Sequence, residues 1–191
     1  MRRLIKEIGP LDEEKRRRAR PKESYAALVR SITGQQLSTK AAATIYGRVV
    51  ELFDGHTPTP EELLKVEEEE LRAAGLSYAK IRYLRDLAGH VLSGELELDR
   101  LTKLSDDEVS AQLTAVKGLG QWTADMFLIF HLRRPDVLPV GDLGVRRAVE
   151  RAYALPELPA PAKLIEIGEP WRPHRSLASL YLWASLDNEP A

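Results

Sequence analysis

Apolar residues recur with the spacing of an α-helix along almost the whole chain, and no segment alternates apolar and polar residues as a half-buried strand does. Tyr25, Leu28, Val29 and Ile32 show the spacing of one helix face. Ser38 then stands as an N-cap before the next apolar stripe. The pattern predicts an all-α fold of about ten short helices.

Capping patterns set the expected helix boundaries. The segments 59–62 (Thr-Pro-Glu-Glu) and 105–108 (Ser-Asp-Asp-Glu) each pair a capping hydroxyl with a glutamate three residues later. The first is expected to open one helix that ends at Gly75. A proline-rich stretch at residues 156–161 is expected to be a loop, and Pro173 to open the last helix.

Composition narrows the class of protein. The 191 residues are 43% hydrophobic, which is enough for a folded core. The absence of cysteine excludes a disulfide framework, a thiolate zinc site and a cysteine-ligated iron–sulfur cluster. No apolar run is long enough to cross a bilayer, and the N-terminus does not resemble a secretory signal. The length allows one sizeable domain or two small lobes. We expect a soluble, cytoplasmic protein.

The net charge of −1 hides an uneven distribution. An acidic block at residues 67–70 contrasts with basic groups at residues 15–22, 133–134, 146–151 and 172–175. A nearly neutral protein with one basic face can still bind phosphates. Ordinary solvated faces remain an alternative explanation of the same charges.

The segment Leu113–Ala124 is the most informative part of the sequence. Gly118 and Gly120 flank Leu119 between two helical patterns. The leucine can turn inward, and the surrounding amides can point outward at a helix N-terminus, where an anion such as a DNA phosphate binds. A plain helix–turn–helix joint with glycine at a C-cap is the alternative.

Four ordered blocks resemble one known family. The hairpin 113–124 is followed by a Gly/Pro loop at 138–144, which is similar to the helix-hairpin-helix pattern of the DNA glycosylase superfamily. Residues 32–42 resemble the DNA-intercalating segment of the 3-methyladenine DNA glycosylase II branch, and residues 170–176 its C-terminal signature. The blocks span most of residues 24–185.

The resemblance implies a fold and a reaction. The implied fold is a single domain over residues 1–191, in which two helical lobes surround a cleft and the hairpin lies at about residues 105–131. The chain is expected to be a short form without the N-terminal β-rich domain of the well-known enterobacterial member. The implied activity is excision of N-alkylated purines, of the 3-methyladenine and 7-methylguanine type, from double-stranded DNA.

Asp142 is the expected catalytic residue. Breaking a glycosidic bond builds positive charge on the sugar, and a nearby carboxylate stabilises that charge and orients the attacking water. The position of Asp142 before a helical pattern also fits a simple N-cap, and both roles can coexist. Asp125 is a rival carboxylate, which we interpret as structural because it lies one turn into the second hairpin helix.

Trp122 decides the expected reaction type. Superfamily members that also nick the backbone carry a lysine at this hairpin position, which attacks the sugar as an amine. Trp122 cannot form a Schiff base, and Lys117 lies on the wrong side of the turn. The enzyme is therefore expected to be monofunctional. The electron-rich indole also suits a positively charged alkylated purine, although a buried core tryptophan is the alternative.

The resemblance assigns the remaining site residues. Gln36 falls at the intercalating position, which fills the gap left by a flipped base, with Leu37 and Ser38 beside it. The other residues expected to contact DNA are Lys117, Gly118, Gly120, Thr123 and Arg146. Trp171, Tyr25 and Tyr46 are candidates for an aromatic base pocket, although a core role is favoured for these three.

No cofactor is expected to be required. The family implies a monovalent cation, Na⁺ or K⁺, held by backbone carbonyls near Gly118 and Gly120. We expect a monomer that associates with the nucleoid through DNA. The open alternatives are a non-catalytic helix-hairpin-helix module, a glycosylase for uracil, hypoxanthine or mismatched thymine, and an oxidised-base lyase, which the missing lysine disfavours.

Overall fold

The computed structural model describes residues 1–11 and 23–186, and every regular element in that part of the chain is helical. The α-helices are α1 (Arg2–Ile8), α2 (Ser24–Gly34), α3 (Thr39–Leu52), α4 (Pro60–Lys65), α5 (Glu68–Ala73), α6 (Tyr78–Leu92), α7 (Asp106–Ala115), α8 (Gln121–Phe130), α9 (Leu143–Ala152), α10 (Pro161–Gly168) and α11 (Arg175–Ala184). Two 3₁₀ helices cover Leu98–Lys103 and Glu169–Trp171. The all-α prediction is confirmed. None of the described helices is both long and apolar enough to cross a membrane.

The described chain divides into two compact units. One consists of residues 1–11 with 128–186, and the other of residues 23–127. The boundary between Phe127 and Leu128 falls inside α8.

The unit of residues 23–127 is organised around α2 and α6. Helix α2 packs against α3 and α6, and α6 also packs against α4 and α5. The apolar face predicted on α2 is buried, with Leu28, Val29 and Ile32 removed from solvent. Leu84 and Leu87 on α6 are equally buried. Burying a side chain of this size contributes about 1.5–3 kcal/mol. Helices α2 and α6 therefore form the core of this unit, and the loops that carry the candidate site connect to that core.

The unit containing residues 128–186 is organised around α11. This helix packs against α1 and α9, and α10 packs against the 3₁₀ turn that follows it. Val145 and Val149 from α9, Leu164 from α10 and Leu182 from α11 are fully buried. Helix α9, whose first turn follows Asp142, is thereby fixed against α11.

The last helix was expected to open at Pro173 but begins at Arg175. His174 takes the N-cap position and its N–H donates to the Trp171 carbonyl at 2.7 Å, so Pro173 lies in the turn before the helix.

Two further helix predictions were wrong in detail. The single helix expected from Thr59 to Gly75 is broken, because Val66 and Glu67 are extended. The Val66 carbonyl accepts a hydrogen bond from Arg85 Nη2 at 3.0 Å, a contact that the local pattern could not reveal. Pro161, expected in a loop, is instead the first residue of α10. A proline fits there because the first helical N–H needs no partner within the helix.

An ion pair fixes the segment that leads to α9. Asp136 Oδ1 accepts a hydrogen bond from Arg175 Nε at 2.7 Å, and Asp136 Oδ2 accepts one from Arg172 Nη1 at 2.8 Å. Burial opposes ionisation of Asp136, but the hydrogen bonds and charge of Arg175 outweigh it, so the pKa of Asp136 lies below its usual value. Ser176 Oγ on α11 also accepts the Val137 N–H at 3.0 Å. The segment at 134–137 is therefore held to the start of α11.

Asp136→Asn is expected to lower the free energy of unfolding at neutral pH by about 1–3 kcal/mol, because Arg175 loses a partly buried counter-charge. The folded-state pKa is depressed, so this stabilisation is present above the ordinary aspartate pKa of about 3.9 and is lost as the pH falls through the folded value. Urea denaturation of both proteins at pH 7 and at a series of decreasing pH values below 4 measures the difference. A gap that does not shrink in acid contradicts the assignment.

Candidate functional site

The hairpin consists of α7, the turn 116–120 and α8. Leu119 is 3% exposed, so it turns inward as predicted, whereas Gly118 and Gly120 are exposed. Within the described residues the N–H groups of these two glycines make no hydrogen bond. Free amides at the start of a helix attract an anion. The hairpin turn therefore leaves two amides open to an anion, as the predicted phosphate contact requires.

Neighbouring side chains fix the hairpin turn. Asp86 on α6 accepts the Lys117 N–H on Oδ2 at 2.8 Å, and its Oδ1 lies 3.0 Å from Lys117 Nζ. Burial opposes ionisation of Asp86, but the bonds from Lys117 outweigh it and lower its pKa. Gly118 has a φ of +83°, and the Tyr83 ring occupies the space that a Cβ would need. Sequence reasoning missed both Asp86 and Tyr83.

The wedge turn, residues 34–37, joins α2 to the N-cap of α3. Gln36 is exposed with a φ of +58°, and the Leu37 N–H donates to the Gly34 carbonyl at 3.2 Å. Ser38 caps α3 as predicted, because its Oγ accepts the Ala41 N–H. The turn presents Gln36 outward, as an intercalating residue requires.

Asp142 caps α9 and is 7% exposed. Its Oδ1 accepts the Val145 N–H at 2.7 Å and the Trp183 Nε1–H at 2.8 Å. The predicted N-cap is confirmed. The indole bond was not predicted, since Trp183 lies 41 residues further along the chain. Two donors on one oxygen leave the carboxylate little rotational freedom.

The close approach of Trp183 to Asp142 depends on Gly144. A Cβ at Gly144 would lie 3.1 Å from both Asp142 Oδ1 and the indole Cδ1. On its other side the indole stacks on Phe130, with ring centroids 5.6 Å apart. The indole is thus positioned by Phe130 on α8 and by the absence of a side chain at Gly144.

The described residues of the candidate site therefore form two groups, one in each unit. The hairpin and the wedge turn come together in the unit of residues 23–127, because Gln35 Nε2 donates to the Gly118 carbonyl at 2.7 Å. Asp142 and Trp183 come together in the other unit. A family model of HhH-GPD superfamily base excision DNA repair proteins matches residues 29–173, which include all of these residues except Trp183.

The chain belongs to the HhH-GPD superfamily of base excision DNA repair proteins.

Several proteins that this HhH-GPD chain resembles are named as 3-methyladenine DNA glycosylases. It is 37% identical to DNA-3-methyladenine glycosylase 1 of Schizosaccharomyces pombe, over 95% of this chain and 79% of the relative. A structure of S. pombe 3-methyladenine DNA glycosylase Mag1 in complex with abasic DNA matches with a TM-score of 0.84 and 36% identity, covering 97% of this chain and 90% of that one. DNA-3-methyladenine glycosidase of Bacillus halodurans matches with a TM-score of 0.79 and 44% identity, over 87% and 76% of the two chains.

The aromatic residues predicted for the base pocket of this HhH-GPD protein differ in their surroundings. Trp122, on the first turn of α8, is 41% exposed, whereas Trp171 is buried beside Tyr153. Tyr46 has its hydroxyl 2.7 Å from Thr57 Oγ1, as in a structural contact. Burial, and then Glu61, raise the pKa of Tyr25, whose buried hydroxyl has no hydrogen-bond partner among the described residues. Their contact with a base stays a prediction.

Three residues predicted to contact DNA are partly engaged within the protein. Thr123 is buried on α8, and Arg146 Nε donates to the Pro159 carbonyl at 2.8 Å. Lys117 pairs with Asp86, yet its side chain remains 77% exposed. Lys117 is therefore best placed of the three to meet a phosphate. The basic segment at residues 15–22 lies outside the described residues.

The cation expected at the hairpin stays a prediction. The Gly118 carbonyl accepts Gln35 Nε2, and the Gly120 carbonyl accepts the Ala124 N–H at 3.1 Å. A carbonyl oxygen has two lone pairs, so a cation at these groups would use the second lone pair of each oxygen. Na⁺ or K⁺ would supply positive charge for a phosphate.

Trp183→Phe is expected to slow base release by about 10–100-fold, the effect of losing one hydrogen bond to a charged group. Phenylalanine keeps an aromatic ring beside Phe130 but cannot donate to Asp142 Oδ1. Single-turnover excision gives the rate, and titration of abasic DNA gives the affinity, which should change little. An unaltered excision rate contradicts a positioning role for Trp183.

Proposed function

We propose that this chain is a monofunctional DNA glycosylase that flips N-alkylated purines out of duplex DNA and hydrolyses their glycosidic bonds. The observation that carries the proposal is the buried Asp142 carboxylate, fixed by the α9 amide and Trp183 in a member of a base excision repair superfamily. The names of the S. pombe and B. halodurans relatives support 3-methyladenine as the substrate class.

The chemistry is a substitution at C1′ of the sugar. The glycosidic bond breaks, its electron pair leaves with the alkylated purine, and the base departs neutral because alkylation had made it cationic. Positive charge on the sugar is stabilised by the Asp142 carboxylate. A water oxygen adds to C1′ and loses a proton to the carboxylate or to solvent, which leaves an abasic site.

The absence of lyase activity rests on Trp122. This residue stands at the first turn of α8, where lyase members of the family carry an amine nucleophile. An indole cannot form the covalent imine that precedes strand cleavage. Trp122 is 41% exposed, and contact of its indole with a cationic purine would be worth about 0.5–2 kcal/mol.

Binding to DNA follows from the hairpin. The unpartnered amides of Gly118 and Gly120 grip a backbone phosphate, and the exposed Lys117 adds charge. Such contacts are independent of sequence, as repair of any damaged site requires. We expect the protein to act as a monomer associated with the nucleoid.

A panel of duplex oligonucleotides tests the proposal. Each carries one lesion, and alkali after incubation cuts wherever a base has been removed. The proposal predicts cutting at 7-methylguanine and 3-methyladenine but not at uracil, hypoxanthine, mismatched thymine or 8-oxoguanine. Cutting only at uracil or hypoxanthine contradicts the substrate class, and DNA binding without cutting at any lesion supports a non-catalytic module.

Borohydride separates hydrolysis from lyase chemistry. The reagent traps an imine between protein and sugar as a covalent complex. With a 7-methylguanine duplex we expect base release and no trapped complex. A borohydride-dependent protein–DNA band contradicts the monofunctional assignment.

A further inference from the structure

The wedge turn is strained at the residue that it exposes. Gln35 has φ −52° and ψ +134°, and Gln36 follows at φ +58°. With the hydrogen bond from Leu37 to Gly34, these angles define a type II β-turn, whose third residue is normally glycine or asparagine. A glutamine there costs free energy, and such strain persists only where its surroundings enforce it.

Contacts from outside the turn enforce this conformation. Gln35 Nε2 donates to the Gly118 carbonyl at 2.7 Å, across 83 residues of sequence. At the end of α2, Lys80 Nζ donates to the Thr33 carbonyl at 2.8 Å. Gly34 lies so close to Ala42 that a Cβ would be 3.3 Å from it. The three residues before Gln36 are therefore each held by a contact, and the bond from Gln35 reaches directly to the hairpin.

The acceptor of that bond is itself rigid. Gly118 lies against the Tyr83 ring, and the preceding residue, Lys117, is held by Asp86. The hairpin turn thus offers a fixed carbonyl to Gln35 on one side and free amides to a phosphate on another. The Gln35 side chain connects the proposed phosphate grip with the proposed wedge and so limits the spacing between the two.

We propose that Gln35 is a positioning residue that ties the wedge turn to the hairpin, so that Gln36 enters the duplex at a set distance from the gripped phosphate. The inference rests on the proposed function, because it presumes base flipping. Gln35 acts through Gln36 and contacts no reacting atom. Losing its amide donor lets the turn relax from the left-handed conformation and withdraws Gln36 from the stack.

A double-mutant cycle tests the coupling. The variants are Gln35→Leu, which removes the donor with little change in size, Gln36→Ala, and the two combined. Flipping is measured from the fluorescence of 2-aminopurine placed beside a tetrahydrofuran abasic analogue, and base release from single-turnover excision of 7-methylguanine. We expect each single variant to lose about 3–10-fold in both, the range of one or two neutral hydrogen bonds.

The double variant decides the result. If Gln35 acts through Gln36, the double variant is no more than about twofold worse than the poorer single variant, because the two effects are coupled. Losses that multiply, or an unchanged Gln35→Leu, overturn the proposal. Gln35→Glu keeps the size of the side chain, loses the amide donor and adds a negative charge beside the Gly118 carbonyl, so it should be at least as impaired as Gln35→Leu.

A stability control separates positioning from general damage. Thr59→Ala removes the capping box of α4, which lies in the same unit but outside the hairpin and the wedge turn. It should lower the melting temperature without lowering the flipping signal at 25 °C. If Thr59→Ala also lowers that signal, the loss in Gln35→Leu reflects stability and the proposal fails. If wild-type protein neither flips nor excises, the proposed function fails as well, whereas a normal wild type with multiplying losses refutes only the coupling.

Discussion

Asp142→Asn is expected to slow base release by about 1000-fold or more, because a neutral amide cannot stabilise the positive charge that develops on the sugar. The amide oxygen can still accept the Val145 N–H and the Trp183 Nε1–H, so the fold around α9 should persist. Affinity for abasic DNA is expected to stay within about threefold of wild type, since the hairpin is untouched. Single-turnover excision and a binding titration measure the two effects.

Asp125→Asn is the matched control for that substitution. Asp125 is as buried as Asp142, lies on α8 and accepts Gln121 Nε2 at 2.8 Å, a bond that an asparagine oxygen can retain. We interpret it as structural, so its variant should keep excision within about fivefold of wild type. If Asp125→Asn is the inactive variant and Asp142→Asn is active, the catalytic assignment is wrong.

Gly118→Ala is expected to destabilise the protein by about 2–4 kcal/mol, through the left-handed backbone and forced repacking. Gly118 has a φ of +83°, and an added Cβ would overlap the Tyr83 ring. Relief of that overlap must shift the hairpin turn, which moves the amides proposed to hold a phosphate. Affinity for abasic DNA should therefore fall by about tenfold, the value of one charge-assisted hydrogen bond.

Gly120→Ala provides the comparison two residues away. A Cβ at Gly120 meets nothing within 4 Å, and its φ is not positive. Its stability should stay within about 0.5 kcal/mol of wild type, as for an ordinary surface substitution. Equal stability of Gly118→Ala and Gly120→Ala, measured by urea denaturation, would show that the hairpin has no special need for glycine at 118.

Much of the fold followed from the sequence because helix boundaries are set by local contacts. The caps at Ser38, Thr59, Ser105 and Asp142 each use a side chain and an amide three residues away, so a short pattern predicts them. The break at Val66 could not be predicted in this way. Arg85 on another helix donates a hydrogen bond to the Val66 carbonyl at the break, whereas the local sequence favours a continuous helix.

The residues of the candidate site also divide into those that a sequence pattern predicts and those that only tertiary contacts reveal. Asp142, the inward Leu119 and the outward Gln36 follow from spacing and from family resemblance. Trp183 and Asp86 did not, because each meets its partner 41 or 31 residues away in sequence. A tryptophan in an apolar helix resembles any core residue until the structure shows which atom its N–H meets. Residues that position others, such as Trp183 and Asp86, are thus found only from tertiary contacts. The proposed catalytic residue, Asp142, and the proposed wedge, Gln36, are found from the sequence pattern.

The most direct test of the proposed reaction is chromatographic detection of free base. Purified wild-type chain, in excess over a duplex treated with a methylating agent, should release free 3-methyladenine and 7-methylguanine and leave an unbroken strand with abasic sites. Asp142→Asn should release neither above the spontaneous rate. Contradiction would come from a wild-type chain that binds abasic DNA tightly yet releases no methylated purine.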